Sequence, residues 1–273
     1  MVPKLRILLA GLALIVPIAL FAETGQDEKQ KAVNSIIEQS GVEGQFAQLP
    51  ALIEKQLQSQ QQAMDKDKYE ILSRIMKKNF THKPIIMKIR ESFLADYDEK
   101  NVGEILKFYE SDLAKKMTAL EIQASSPDIY EKIQNVEFGT INKKRKALLE
   151  KLIKDTESME YAGLIAGATL EGFIMAINAI LPDDKKIPDV QIDEIKKKIL
   201  ATVHSDEQKN FYIKYYFLAY EKAGDAELSK YIDFYSTKPG RWMHVTIRNG
   251  ILQGIHACSE NAGRDLAEAL LKK

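Results

Sequence analysis

The chain has 273 residues, 45% of them hydrophobic and 29% charged, with only eight prolines and fourteen glycines. This composition fits one large globular domain or two small ones, and excludes a disordered chain or a loop-rich β-sandwich. Lys plus Arg equals Asp plus Glu at 39 each. The chain therefore lacks the basic field that drives nucleic-acid binding, and nucleic acid is not expected as a partner.

At the N-terminus, Lys4 and Arg6 precede an uncharged apolar run from Ile7 to Phe21, and Leu20-Phe21-Ala22 places a small residue at a cleavage position. Basic, apolar and small-residue regions in that order read as a signal peptide over 1–22, cleaved after Ala22. The run falls short of the roughly 20 apolar residues a spanning helix needs. The expectation is export to the periplasm or beyond, with no stable membrane insertion afterwards. No cysteine lies near the junction to carry a lipid. Cys258 is the single cysteine, so no internal disulfide exists and packing alone must hold the fold; the thiol is expected to be free and buried.

From Asp27 onward the pattern is helical. Val33, Ile36 and Ile37 form one apolar face that stops at Ser40-Gly41, a C-terminal cap signal. Phe46, Leu49, Ile53 and Leu57 repeat at helical spacing, with Pro50 marking a kink or a late start. Ile71 to Met76 and, after Thr81 and Pro84, Ile85 to Phe93 give two more helices. Val102 to Leu120 reads as one amphipathic helix. Ser126-Pro127 reads as a helix start, followed by Ile129, Ile133, Val136 and the charged run Lys143 to Lys146. Ser205-Asp-Glu-Gln208 resembles a capping box before an aromatic helix from Phe211 to Tyr220. Asp225 is a candidate cap for the helix bearing Leu228, Tyr231, Ile232 and Tyr235, and a last helix runs from about Gly240 to Leu271. No sustained alternation with hairpin turns occurs, so the fold class is all-α, a helical bundle.

Tyr161 to Leu181 is apolar apart from Thr169, Glu171 and Asn178, and carries Gly163 and Gly167 at a spacing suited to close helix packing. Glu171 in its middle makes insertion costly. The segment is expected to be the central helix of a soluble bundle, buried on most sides; a distinct reading makes Glu171 a polar spot in an apolar cavity.

A shift of 126 residues lays Glu104–Met117 on Lys230–Met243, matching Phe108 with Phe234, Tyr109 with Tyr235, Ser111 with Thr237 and Met117 with Met243. Aromatic helices precede both blocks. The division expected is 23–125 for a first helical repeat, 126–147 for a connecting helix and 148–273 for a second repeat with a long C-terminal helix. The block Phe234-Tyr-Ser-Thr-Lys-Pro-Gly-Arg241, with Glu227-Leu228 before it, resembles the exported family catalogued as domain of unknown function 2059. The first copy departs from that pattern, with Asp112-Leu113-Ala114 in place of Lys-Pro-Gly. The resemblance implies export and an all-helical fold, and supplies no catalytic residues.

No phosphate-binding glycine loop, H-E-x-x-H, G-x-S-x-G or C-x-x-C occurs. His244, His256 and Cys258 are spaced by 12 and 2 residues, off the three- or four-residue spacing of helical metal ligands, so no metal, cofactor or catalytic residue is assigned. The candidate binding residues are Phe234, Tyr235, Pro239, Gly240, Arg241, Trp242 and Glu171. Pro239-Gly240 is expected to end one helix and start the next, with Gly240 at a positive φ and Trp242 packed into the core. Two functions are carried forward: a non-catalytic module binding an envelope protein, and a carrier of an apolar small molecule, a lipid or acyl chain, near Tyr161 to Leu181. An enzyme is the third.

Overall fold

Polar side chains just ahead of the first turn start several of the helices, because a side-chain oxygen there satisfies an amide that has no partner in the first turn. The computed structural model describes residues 16–61, 65–179, 186–203 and 205–271. Among them the secondary structure is helical without a strand: α1 Val16–Gln39, α2 Val42–Ala47, α3 Leu49–Gln60, α4 Lys66–Asn79, α5 His82–Ala95, α6 Glu99–Tyr109, α7 Asp112–Ala124, α8 Ile129–Gln134, α9 Lys143–Asp155, α10 Ser158–Asn178, α11 Asp189–Val203, α12 Asp206–Ala219, α13 Asp225–Tyr235 and α14 Lys238–Leu271. Asp65, Asp98, Asn142 and Ser205 each accept a backbone N–H of the first turn of α4, α6, α9 and α12. The all-α class stands. The expected Ala22–Glu23 junction falls within α1, while Lys4, Arg6 and the apolar run up to Ile15 lie outside the described residues.

Gly41 ends α1 as expected, at φ 69°. A Cβ there would also meet Thr118 Cγ2 at 2.5 Å, so both backbone angle and space demand glycine. Pro50 occupies the first turn of α3 rather than kinking a longer helix.

Several expected boundaries move. Val102 to Leu120 is not one helix: the chain breaks at Glu110-Ser111, where Ser111 Oγ accepts the Ala114 N–H at 3.2 Å and donates to the Phe108 carbonyl at 2.6 Å. The same device recurs 126 residues on, where Thr237 Oγ1 accepts the Gly240 N–H at 3.1 Å and donates to the Phe234 carbonyl at 2.6 Å. A hydroxyl thus holds both breaks, and the first is made without Pro-Gly. α14 thus begins at Lys238, with Pro239 and Gly240 inside its first turn. Asp225 does not cap α13; Gly224 holds that position and its N–H donates to Glu227 Oε2 at 2.8 Å. Ser126 donates to Asp128 Oδ1, and α8 starts at Ile129. The span 126–147 is α8, a 3-10 turn at Phe138–Thr140 and the start of α9, not one connecting helix.

Two cores form. Val33 and Ile36 of α1, Ile85, Ile89 and Phe93 of α5 and Ile105 of α6 close around Met243, Ile251, Ile255 and Ala262 of α14. Met117 and Ala124 of α7 join Leu149 and Leu152 of α9, Ile213 of α12 and Leu228, Tyr231 and Ile232 of α13 in the other. α7 thus contributes Ala114 to the first core and Met117 and Ala124 to the second, while α14 packs Met243, Ile251, Ile255 and Ala262 into the first. At the crossover Phe108 and Phe234 lie face to face, 3.6 Å apart with planes 1° from parallel. Within the lysine-rich start of α9, Arg145 is buried. It donates to the carbonyls of Ala223 at 3.0 Å and of Tyr220, and to Asp225 Oδ1 at 3.1 Å, tying the end of α12 to the start of α13.

α10 is not buried on most sides. Among the described residues it is the one helix long and apolar enough to cross a membrane by length and composition, yet only 22% of its apolar window is buried. One face packs along α14, where Gly172 lies against Ser259 and the His256 carbonyl, and Gly263 against Ala176 and Phe173. This seam uses Gly172 rather than the expected Gly167, which has nothing within 4 Å of its Cβ position. The helix is apolar all round but has packing partners on only part of its circumference, so Leu164 and Met175 remain 44% and 51% exposed.

Candidate functional site

The site is built from α12. Its tyrosines at 212, 215, 216 and 220 are three, four and eight residues apart, which puts them along one side of the helix. Tyr212 stacks on Tyr216 and Tyr216 on Tyr220, with ring centroids 6.3 and 6.0 Å apart. α13 adds Tyr231 and Tyr235, whose rings meet edge to face at 5.3 Å. Between this aromatic wall, α2 and α14 lies a cavity of about 290 Å³. Seven of the chain's eleven tyrosines line it: Tyr109, Tyr161, Tyr212, Tyr215, Tyr216, Tyr220 and Tyr235.

One acid faces the cavity. Glu121, on α7, takes hydrogen bonds at Oε1 from the phenols of Tyr220 at 2.5 Å and Tyr231 at 2.7 Å. Its other oxygen has only the Gln45 amide, at 3.5 Å, a distance at which little of a hydrogen bond survives. Tyr231 spends its proton on Glu121, so it accepts from Tyr235, 3.0 Å away. Burial holds the Glu121 carboxyl above its usual range, and the Tyr220 and Tyr231 hydrogen bonds offset part of that rise. Burial, then the nearby Glu121 charge, raises the phenol pKa of Tyr109, Tyr220, Tyr231 and Tyr235, which keeps these phenols protonated. No basic side chain among the described residues forms an ion pair with Glu121.

Among the fully buried polar side-chain atoms of the residues lining the cavity, all but one have hydrogen-bond partners. Thr156 donates to the Leu152 carbonyl, so Ser158 donates to Thr156 and Tyr216 donates to Ser158. His244 Nε2 lies 2.7 Å from the Thr156 carbonyl and, since a carbonyl only accepts, carries the proton. Burial, the largest influence on it, lowers the His244 pKa and favours the neutral ring. Arg248 pairs with Glu157, whose backbone sits at φ 47°, the one non-glycine residue at positive φ among those described. The exception is Tyr161, whose hydroxyl is buried without a hydrogen-bond partner.

A second cavity of about 320 Å³ adjoins the first and shares Gln45, Phe46, Tyr212 and Tyr215 with it. Its remaining lining is mostly apolar, including Leu49, Leu52, Ile129 and Phe211. Glu121 lines the first cavity and not the second.

Of the residues singled out in the sequence, only Tyr235 lines the inner cavity. Phe234 stacks on Phe108. Pro239 and Gly240 lie in the first turn of α14, and Gly240 has an ordinary helical φ; a Cβ there would come within 2.1 Å of the Phe234 carbonyl oxygen. Its glycine serves close approach, not a positive φ. Arg241 donates to the Ser236 carbonyl at the surface. Trp242 is half-buried rather than enclosed: it meets Phe93 edge-on at 5.4 Å and donates from Nε1 to Asp96 Oδ2 at 2.8 Å. Glu171 pairs with Lys196 of α11 at 3.1 Å, away from either cavity. His256 lies 3.8 Å from Glu260, and Cys258 is a free, buried thiol. Glu121, Tyr161, His244 and Arg248 were not singled out as binding residues. The tyrosine spacing of α12 was the signal available; nothing local marks Glu121 among 39 acidic residues.

No family model, no curated protein and no solved structure matches this chain.

Proposed function

We propose that this is a non-catalytic, exported binding protein for a small amphipathic molecule, held with its polar end at Glu121 and Tyr161 and its apolar end in the adjoining cavity. The observation that carries this reading is the Tyr161 hydroxyl. A buried hydroxyl without a partner costs about 1–3 kcal/mol, and native structures rarely retain one without a reason. A ligand group in the cavity satisfies it.

The inner cavity alone, at about 290 Å³, holds roughly ten non-hydrogen atoms if each takes about the 30 Å³ share of a liquid water. A long acyl chain therefore does not fit there. A shorter chain reaching into the second cavity does, and this amends the expected lipid carrier both in size and in place, since the site touches the segment Tyr161 to Leu181 only at Tyr161. Export, the resemblance to domain of unknown function 2059 and a tandem relation between the two helix sets belong to the same proposal. The repeated hydroxyl device at Ser111 and Thr237 and the order of α5 to α7 against α12 to α14 support the tandem relation. Native mass spectrometry of protein isolated from the envelope is the test. A bound small molecule that is lost more readily from Tyr161→Phe supports the reading; an empty protein that no amphiphile stabilises against heat overturns it.

A second reading, docking of an envelope protein, has its own observation. Leu164, Ala168, Glu171 and Met175 share one face of α10, and Val190 and Ile195 of α11 are also exposed. Co-purification of one partner that Leu164→Ser with Met175→Ser abolishes, while ligand binding persists, favours this alternative.

A further inference from the structure

Resting on the cavity reading above, we infer that the ligand is an organic cation, an ammonium group carried on a short alkyl chain, with Glu121 as its counter-charge. Three observations converge on that class.

The first is charge. Glu121 is the acid of the inner cavity without a cation beside it: Arg248 is engaged by Glu157, and His244 spends its Nε2 proton on the Thr156 carbonyl. A carboxylate away from bulk water is costly unless a positive charge or a full set of hydrogen bonds meets it. The second is the unequal use of its two oxygens. Oε1 accepts two short phenol hydrogen bonds, while Oε2 has only the long contact from Gln45. Glu121 and Tyr161, whose hydroxyl has no hydrogen-bond partner, both line one cavity. The third is the wall itself. Aromatic faces attract cations through the ring quadrupole, and cages of tyrosine or tryptophan beside a carboxylate suit ammonium groups that cannot be matched by hydrogen bonds alone. Phenylalanine would supply the same apolar area, so the choice of tyrosine at most of these positions adds hydroxyls and a richer ring face. An anionic ligand meets the opposite situation: Glu121 repels it, and Arg248 must leave Glu157 to bind it.

The test compares three probes with the same tail on the intact mature protein by isothermal titration calorimetry: octyltrimethylammonium, 1-octanol and octyl sulfate. The expected result is that the ammonium binds at least about tenfold tighter than the alcohol, as a desolvated cation over aromatic faces warrants, and that the sulfate binds weakest. In Glu121→Gln the preference for the ammonium over the alcohol should fall several-fold while the alcohol's own affinity is retained. The comparison within the wild-type protein stands even if that variant folds poorly. Equal or tighter binding of the alcohol overturns the cation and leaves the cavity reading intact. Tightest binding of the sulfate overturns it in favour of Arg248. If none of the three binds, both readings fall together.

Discussion

Arg145 shows how much one side chain among surface lysines can decide. It answers two carbonyls and one carboxylate that the turn between α12 and α13 leaves without helix partners. Arg145→Leu removes all three hydrogen bonds at once and leaves Asp225 with Lys144, 3.9 Å away. Breaking a buried pair from one side costs about 3–5 kcal/mol, so thermal denaturation should show a large loss, and an unchanged melting temperature would contradict the assignment. At α14 the structure ranks two variants. Gly240→Val drives a side chain into the Phe234 carbonyl and should cost about 3 kcal/mol or more, as overpacking of a closed backbone contact does. Trp242→Ala uncovers Phe93 and frees Asp96, but the ring is only half-buried, so about 1–3 kcal/mol is expected, below the fully buried range. Melts of the two variants decide the order. Glu121 supplies a pH test. Its folded pKa is raised by burial above the usual value near 4.5, so the folded state holds a proton that the unfolded chain has released. Stability from this group is present in acid and is lost as pH rises from about that usual value through the folded pKa. Glu121→Gln should lack that decline in a melting profile taken across the same range.

Elements are positioned here by short breaks more than by long loops. The hydroxyls of Ser111 and Thr237 each tie the end of one helix to the start of the next, α6 to α7 and α13 to α14. Cap replacement costs typically about 1 kcal/mol, so Ser111→Ala and Thr237→Ala should each lower stability by about that amount, with Ser111→Thr close to neutral; chemical denaturation checks both. α10 and α14 are joined along the small residues Gly172, Ala176, Ser259 and Gly263, which let the two backbones approach. The same seam explains why α10 is only partly covered. A narrow, close contact along one side leaves Leu164 and Met175 on another face exposed.

At the scale of the molecule, the placement of α7 and α14 makes each core depend on both halves of the chain. Neither half has a complete core of its own, since the first lacks Met243, Ile251, Ile255 and Ala262 and the second lacks Met117 and Ala124. Fragments divided between Ile141 and Asn142 should therefore be largely unfolded alone and recover helix content when mixed. Circular dichroism of each fragment and of the mixture measures this, and a cooperatively folded isolated half would refute it. The cavity sits at the same junction, with walls from α6 and α7 as well as from α10, α12, α13 and α14.

The sequence alone was enough for the helical class, the end of α1 at Gly41 and the start of α12 at Ser205, because stripe period and capping depend on residues within one or two turns. The pairing of Phe108 with Phe234 was visible as a coincidence of position and became a stacked contact only in three dimensions. Three other features were decided by tertiary structure: that α14 packs into the first core and α7 into both, that Arg145 is buried, and that Glu121 lines a cavity without a cation beside it. Each depends on which apolar stripe meets which, a choice among surfaces that look alike along the chain. Burial turns an ordinary acid into an unusual one only after helices distant in sequence have closed around it.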